Sequence, residues 1–154
     1  MSKNLSEDHP DKRTAANEFG TRQLFRRPSP RGKTATLHIK VFGDTQFVTA
    51  GDSKFVFEVG RDMDLTELVD VESFVSTVSS SGLPTCQIRN ITQAVDMLTT
   101  KVGIDVSEFV SKTALTQPVI STTNADVAWG DLIAIDVDVS GTNAKGLGVI
   151  LTFR

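Results

Sequence analysis

The sequence predicts an all-β fold, an antiparallel β-sandwich of jelly-roll type carrying an extended N-terminal arm, and three observations lead there. Short segments alternate apolar and polar residues with period two, the pattern of half-buried strands. Glycine-containing turns separate these segments at intervals of about ten residues, the spacing of sandwiches and barrels. Composition also changes abruptly near residue 33, where a proline-containing basic stretch gives way to the alternating body.

Residues 1–33 form the predicted arm. They hold eight Lys and Arg residues (Lys3, Lys12, Arg13, Arg22, Arg26, Arg27, Arg31 and Lys33) against four acidic ones, a net +4. The run Arg26-Arg27-Pro28-Ser29-Pro30-Arg31-Gly32 cannot lie inside a helix, because each proline removes a backbone donor and biases its predecessor toward extended geometry. By composition alone the segment reads as a disordered tail in the free monomer. Phe19, Leu24 and Phe25 nevertheless supply apolar anchors along it, as expected of an arm that becomes ordered on neighbouring subunits.

Residues 34–154 form the predicted sandwich domain. In Thr34–Phe42, Leu37, Ile39 and Val41 share one face, with Thr36, His38 and Lys40 on the other. Gly43-Asp44 makes a turn, Gln46–Val48 a short strand, and Gly51-Asp52 a second turn before Lys54–Val59, where Phe55, Phe57 and Val59 align. Leu65–Ser76 is ambiguous. Leu65, Leu68 and Val69 suit a helical turn, whereas Val69, Val71, Ser73 and Val75 fit a strand, which the β-branched content favours. Ser79–Gly82 is a loop, and Pro84–Asn90 a strand with Cys86 and Ile88 inward. Short apolar pieces follow at Met97-Leu98, Lys101–Ile104 and Pro118–Ile120.

Gly130–Arg154 closes the chain as a predicted hairpin. Its first arm puts Ile133, Ile135, Val137 and Val139 on one face and Ala134, Asp136 and Asp138 on the other. Its second puts Leu147, Val149, Leu151 and Phe153 on one face, with Gly148, Ile150 and Thr152 opposite.

The totals exclude several classes. A net charge of −3 gives no reason to expect nucleic-acid binding by the whole chain, although the body alone carries eight basic and fifteen acidic residues, a net −7. Cys86 is the sole cysteine, so no internal disulfide can form. No apolar run approaches the roughly 20 residues of a membrane span. The opening MSKNLSEDHPDKR has no apolar core of a secretory signal, which points to a soluble product made in a cytoplasm.

The succession Gln87-Ile88-Arg89-Asn90, Val95–Thr100, Ile104-Asp105, Pro118-Val119-Ile120, Gly130–Asp138 and Gly141–Leu147 resembles a β-rich module of tailed-bacteriophage structural proteins. That module occurs as small stand-alone virion proteins and at the C-termini of fibre-like appendages. The resemblance covers Thr34–Arg154 and leaves the arm outside. It rests on strand and turn patterns rather than catalytic signatures, and so implies a setting, the phage particle made in a host cytoplasm, more than a role.

Each candidate site has a simpler reading beside it. Asp136, Asp138 and Ser140, followed by Gly141, match the opening of a calcium loop, but Leu147 stands where the closing bidentate Glu belongs and the flanks are strands. The simpler reading is a solvated face on an edge-proximal strand. Asp62, Asp64, Glu67, Asp70 and Glu72 place five carboxylates in eleven residues. Paired carboxylates can hydrolyse glycosides, yet a solvated loop or a docking surface for a basic arm fits a charge run better. Trp129 is read as an apolar plug at a strand end rather than a stacking platform. Cys86, between inward positions, is read as buried and inert. His9 and His38 are isolated and supply neither a metal cluster nor a general base, and no nucleophile elbow or phosphate-cradling loop is present.

The sequence therefore predicts a non-enzymatic virion protein without cofactor or metal. Its expected partners are further copies of itself, in a homo-oligomer such as a trimer, and other virion proteins such as the major capsid protein, with no direct contact to nucleic acid or membrane. Phe19, Leu24, Phe25, Arg26, Arg27 and Arg31 are the expected assembly residues. A capsid decoration or cement protein is the first placement; a collar, neck or baseplate accessory, or a module binding host-surface carbohydrate or a receptor, is the alternative.

Overall fold

A computed structural model describes residues 34–154, and the assembly residues expected at positions 19–31 lie outside the described residues. The body is all-β, with strands β1 (Ala35–Lys40), β2 (Gly51–Glu58), β3 (Thr66–Phe74), β4 (Thr85–Asn90), β5 (Val95–Asp96), β6 (Leu98–Thr100), β7 (Val102–Gly103), β8 (Val119–Ile120), β9 (Asp126–Val127), β10 (Leu132–Val139) and β11 (Gly148–Phe153). Arg61–Met63 and Ser111–Thr113 are single 3-10 turns.

Every strand pair is antiparallel. One sheet has the order β1-β11-β3-β9 and the other β2-β10-β4-β5, with β7 also pairing β4, while β6 and β8 form a small ribbon. One sheet curls into a half-barrel. The inward residues of both sheets, among them Leu68, Val71, Val149, Leu151 and Phe153 from one and Cys86, Ile88, Ile133, Ile135 and Val137 from the other, join in a single hydrophobic cluster. Burying such side chains contributes on the order of 1.5–3 kcal/mol each, the main force holding the two sheets together.

The alternation in β1, β2 and β4 places side chains as expected: Ile39, Val59, Cys86 and Ile88 are buried, and Leu37, Phe55 and Phe57 pack partly buried against the same core. In β11, Val149, Leu151 and Phe153 are fully buried, as is Leu147 just before it. Within Leu65–Ser76, Thr66–Phe74 resolves as strand and Leu65 sits in the turn before it at φ 61°. The segment's mixed periodicity has a local cause, because Thr152 faces Asp70 while Phe153 faces Leu68, so one extra residue is accommodated at Val69. The inward set therefore runs Thr66, Leu68 and then Val71, Ser73, Val75, which imitates helical spacing where the phase changes.

Four expectations need correction. Gly130–Arg154 is not a hairpin: β10 pairs β2 and β4, β11 pairs β1 and β3, and residues 140–147 cross from one sheet to the other. Gly141, Asn143 and Gly146 all take positive φ in that crossing. Val139 leaves the inward face because the register shifts between Val137 and Val139, and it is 44% exposed. Gln46–Val48 is no strand; Phe47 makes one isolated bridge to Lys145. Gly51-Asp52 begins β2 rather than turning before it.

Candidate functional site

Two polar constructions stand out on the body, and each contains a buried carboxylate. The first is on the outward face of the β2-β10-β4 sheet. Asp136 was expected on the solvated face of an edge-proximal strand. Instead β10 has a neighbour on each side, and Asp136 is buried. Arg89 on β4 reaches it with Nε to Oδ2 at 2.6 Å and Nη2 to Oδ1 at 3.1 Å, while the Ser53 backbone N–H donates to Oδ1 at 2.6 Å. Ser53 has φ of 51°, a left-handed conformation that this bond helps to hold. Burial pushes the Asp136 pKa up, but the hydrogen bonds from Arg89 and Ser53 outweigh it and hold the carboxyl below the ordinary aspartate value.

Asp138 is exposed, and its Oδ1 accepts from Lys101 Nζ at 2.8 Å. The Ser140 hydroxyl donates to the Gly141 carbonyl at 3.2 Å. The three oxygens considered for calcium are thus tied to Arg89, Lys101 and the local backbone. Among the described residues no group of three or more His, Cys, Asp or Glu side chains is arranged to hold a metal ion.

The second construction is the turn Ala128–Asp131 between β9 and β10. Asp131 is buried, and its Oδ2 accepts from Asn90 Nδ2 at 2.8 Å, Gln93 Nε2 at 2.6 Å and the Ala128 N–H at 3.0 Å. Burial again pushes its pKa up, and again the donors from Asn90, Ala128 and Gln93 prevail, so that it lies below the ordinary aspartate value. Gly130, at φ +90°, donates its N–H to the Val59 carbonyl at 3.0 Å, and Val59 N–H donates to Asp131 O at 2.8 Å.

This fixed turn holds Trp129 outward. The expected plug at a strand end is therefore corrected: Trp129 is 54% exposed, its backbone N–H donates to Asp64 Oδ1 at 2.9 Å, and Arg61 lies over its ring at 4.1 Å from the centroid. Leu65, Leu132 and Val56, on neighbouring segments, are also exposed. The burial of Asp131 leaves no local signal in the sequence, because its partners Asn90 and Gln93 come from another part of the chain.

The acidic cluster is distributed along the Arg61–Met63 turn and β3. Asp62, Glu67 and Asp70 are exposed, while Asp64 and Glu72 are half-buried. Glu72 lines a cavity of about 100 Å³ with Phe74, Val110, Lys112 and Ile150. Cys86 is fully buried, and its thiol is pushed up to about 12 by that burial and by the charges of Asp138 and Asp136, so no reactive thiolate forms near neutral pH. His38 is exposed on β1, and His9 lies outside the described residues. No helix among the described residues is long and apolar enough to cross a membrane.

Comparison of the chain with protein-family models, with curated proteins and with solved structures finds no match.

Proposed function

We propose that this chain is a non-enzymatic structural protein of a tailed-bacteriophage virion, a capsid decoration or cement protein anchored through its N-terminal arm and assembled as a homo-oligomer such as a trimer. The observation that carries the reading is the strand order. The orders β1-β11-β3-β9 and β2-β10-β4-β5 place β1 and β2, β3 and β4, and β10 and β11 each in opposite sheets. Such a division of neighbouring strands between two sheets supports the reading of a rolled antiparallel ribbon, the jelly roll, an architecture found among viral capsid proteins and lectins. On this reading β6, β7 and β8 are short insertions between β5 and β9.

The charge division supports the arm's role, since a +4 segment joined to a −7 body suits contact between copies or with a neighbouring virion protein. Ordering an arm costs on the order of 1–2 kcal/mol per residue, so an extensive interface is needed to hold it. Placement at the collar, neck or baseplate is compatible with the same features. The receptor-binding alternative gains one observation, the exposure of Trp129 on a fixed turn.

Copy number on purified particles, by quantitative mass spectrometry, tests the reading. Hundreds of copies per particle support decoration of the capsid, a dozen or fewer point to the tail or neck, and absence from particles overturns the virion assignment.

A further inference from the structure

The exposed Trp129 on its rigid turn has no role in the hydrophobic core, and the turn is expensive to build. It buries the Asp131 carboxylate with three donors on one oxygen and sets Gly130 at positive φ. A large aromatic held in water by a pre-organised scaffold has the character of a binding hot spot, where Trp and Arg are the enriched residues. Arg61 already lies over the ring, so the indole is a cation-accepting surface.

Its surroundings are acidic. Asp62 and Asp64 follow Arg61, and Glu58 pairs with Leu132, three residues past the tryptophan. Asp126 on β9 pairs with Glu67, whose backbone exchanges both hydrogen bonds with Arg154. Glu58, Asp62, Asp64, Glu67 and Asp126 thus place five carboxylates on the segments that adjoin the Trp129 turn, beside Arg61 and Arg154. Such a surface suits a basic segment presenting flat, apolar rings.

We propose that Arg26-Arg27-Pro28-Ser29-Pro30-Arg31 of a second copy docks on the Trp129–Arg61 face, its prolines against the indole and its arginines against the surrounding carboxylates. Proline-containing segments favour the extended polyproline conformation, lose little entropy on binding and dock on exposed aromatics. The chain supplies one such basic segment, and it lies just before the body. The body begins at the correct end for this contact: Ala35 faces Phe153 on β11, Phe153 faces Leu68 on β3, and Thr66 faces Val127 on β9. Three strand spacings, about 15 Å, separate Ala35 from Val127, two residues before Trp129. In copies arranged around an axis at this end, the arm of one would meet the turn of the next, a head-to-tail contact of the kind that builds rings when its rotation closes.

The inference rests on the homo-oligomer reading above, and its test separates the two. Trp129 is the sole tryptophan, so its fluorescence reports the site directly. The full chain is diluted through its association range while emission and sedimentation are followed together, and a synthetic peptide of residues 22–33 is added as competitor. The expected result is a shift of Trp129 emission at the same midpoint as dissociation. R26A/R27A/R31A should raise that midpoint at least tenfold at low salt, with a smaller effect at high salt. W129A, whose fold circular dichroism verifies, should fail to associate, whereas W129F should retain part of the association. Dissociation that leaves the emission unchanged, or W129A that associates like the unaltered chain, overturns the docking site while leaving the oligomer intact. A chain that stays monomeric yet shows a saturable emission shift with the peptide supports the docking chemistry and overturns the oligomer. A monomer whose emission ignores the peptide overturns both.

Discussion

Arg89 and Asp136 form a two-point ion pair across neighbouring strands β4 and β10, with nitrogen–oxygen distances of 2.6 and 3.1 Å. The pair also gathers Ser53 from β2, through the guanidinium at 3.1 Å from its hydroxyl and the carboxylate at 2.6 Å from its N–H. Three adjacent strands are thereby fastened on the outer face of the sheet. A two-point geometry fixes orientation as well as energy.

Acid should weaken this fastening and the Asp131 turn together. Both carboxyls lie below the ordinary aspartate value of about 3.9 in the folded protein, so each contributes stability that is complete above that value. The contribution is lost as pH falls below about 3.9 through the lowered folded-state values. Asp131→Asn should cost about 1–3 kcal/mol at pH 7. Melting temperatures of the two proteins should converge toward pH 2; a difference that persists undiminished there shows that the charge of Asp131 is not what the turn uses.

Ile135→Asp and Val149→Asp each put a carboxylate at a fully buried position, one in each sheet. An unpaired buried charge costs more than a domain of this size can lose, so neither variant should yield soluble folded protein. Solubility and circular dichroism equal to the unaltered chain in both would mean that the registers of β10 and β11 are wrong by one residue.

The crossing between β10 and β11 should be far less tolerant than the Trp129 turn. Gly146 has φ of +67°, and an added Cβ would fall inside the Ser76 side chain, whose hydroxyl donates to the Asp44 and Lys145 carbonyls. Gly130 has φ of +90° but open space around it. Gly130→Ala should cost only the left-handed strain, about 1–2 kcal/mol. Gly146→Ala should cost clearly more in a denaturant titration, and equal costs would remove the packing argument.

Chelator should leave the melting temperature unchanged, because Asp136 and Asp138 are already engaged by Arg89 and Lys101. A fall of several degrees, restored by calcium, would show that a bound ion replaces those pairs.

Deleting residues 1–33 should leave a β-rich body with nearly unchanged circular dichroism while abolishing incorporation into particles. Replacing Phe19, Leu24 and Phe25 by Ser should weaken incorporation at every salt concentration, since buried apolar area is not screened. Neutralising Arg26, Arg27 and Arg31 should act mainly at low salt. Normal incorporation of the truncated protein would make the arm dispensable.

What was legible in the sequence was which side of a strand faces the core, and what was not was the partner. Leu147, Val149, Leu151 and Phe153 announce their face through period two alone, because the pleat has that period. Nothing in that pattern says that β11 joins β1 and β3 rather than β10, since alternation is satisfied by either neighbour. The acidic face of β10 misled for a related reason. Asp136 occupies a polar position, but Arg89, 47 residues earlier, determines that it is buried rather than wet. Trp129 was misjudged because apolar character predicts burial only on average, and its outward pose follows from the Gly130 backbone and the bonds around Asp131. β9 escaped notice because two residues, Asp126 and Val127, are too few to show a period.

The placement of Ala35 opposite Phe153 makes the body's resistance to force directional. Tension through the arm enters β1 at one end of its six-residue ladder with β11. If the opposing load is taken at the Phe153 end, the ladder opens one pair at a time, like a zip. If the body is gripped on β11 near Gly148 instead, the same tension runs along the strands and loads all six pairs at once. A tether attached here is therefore weak or strong according to which end of the body is held.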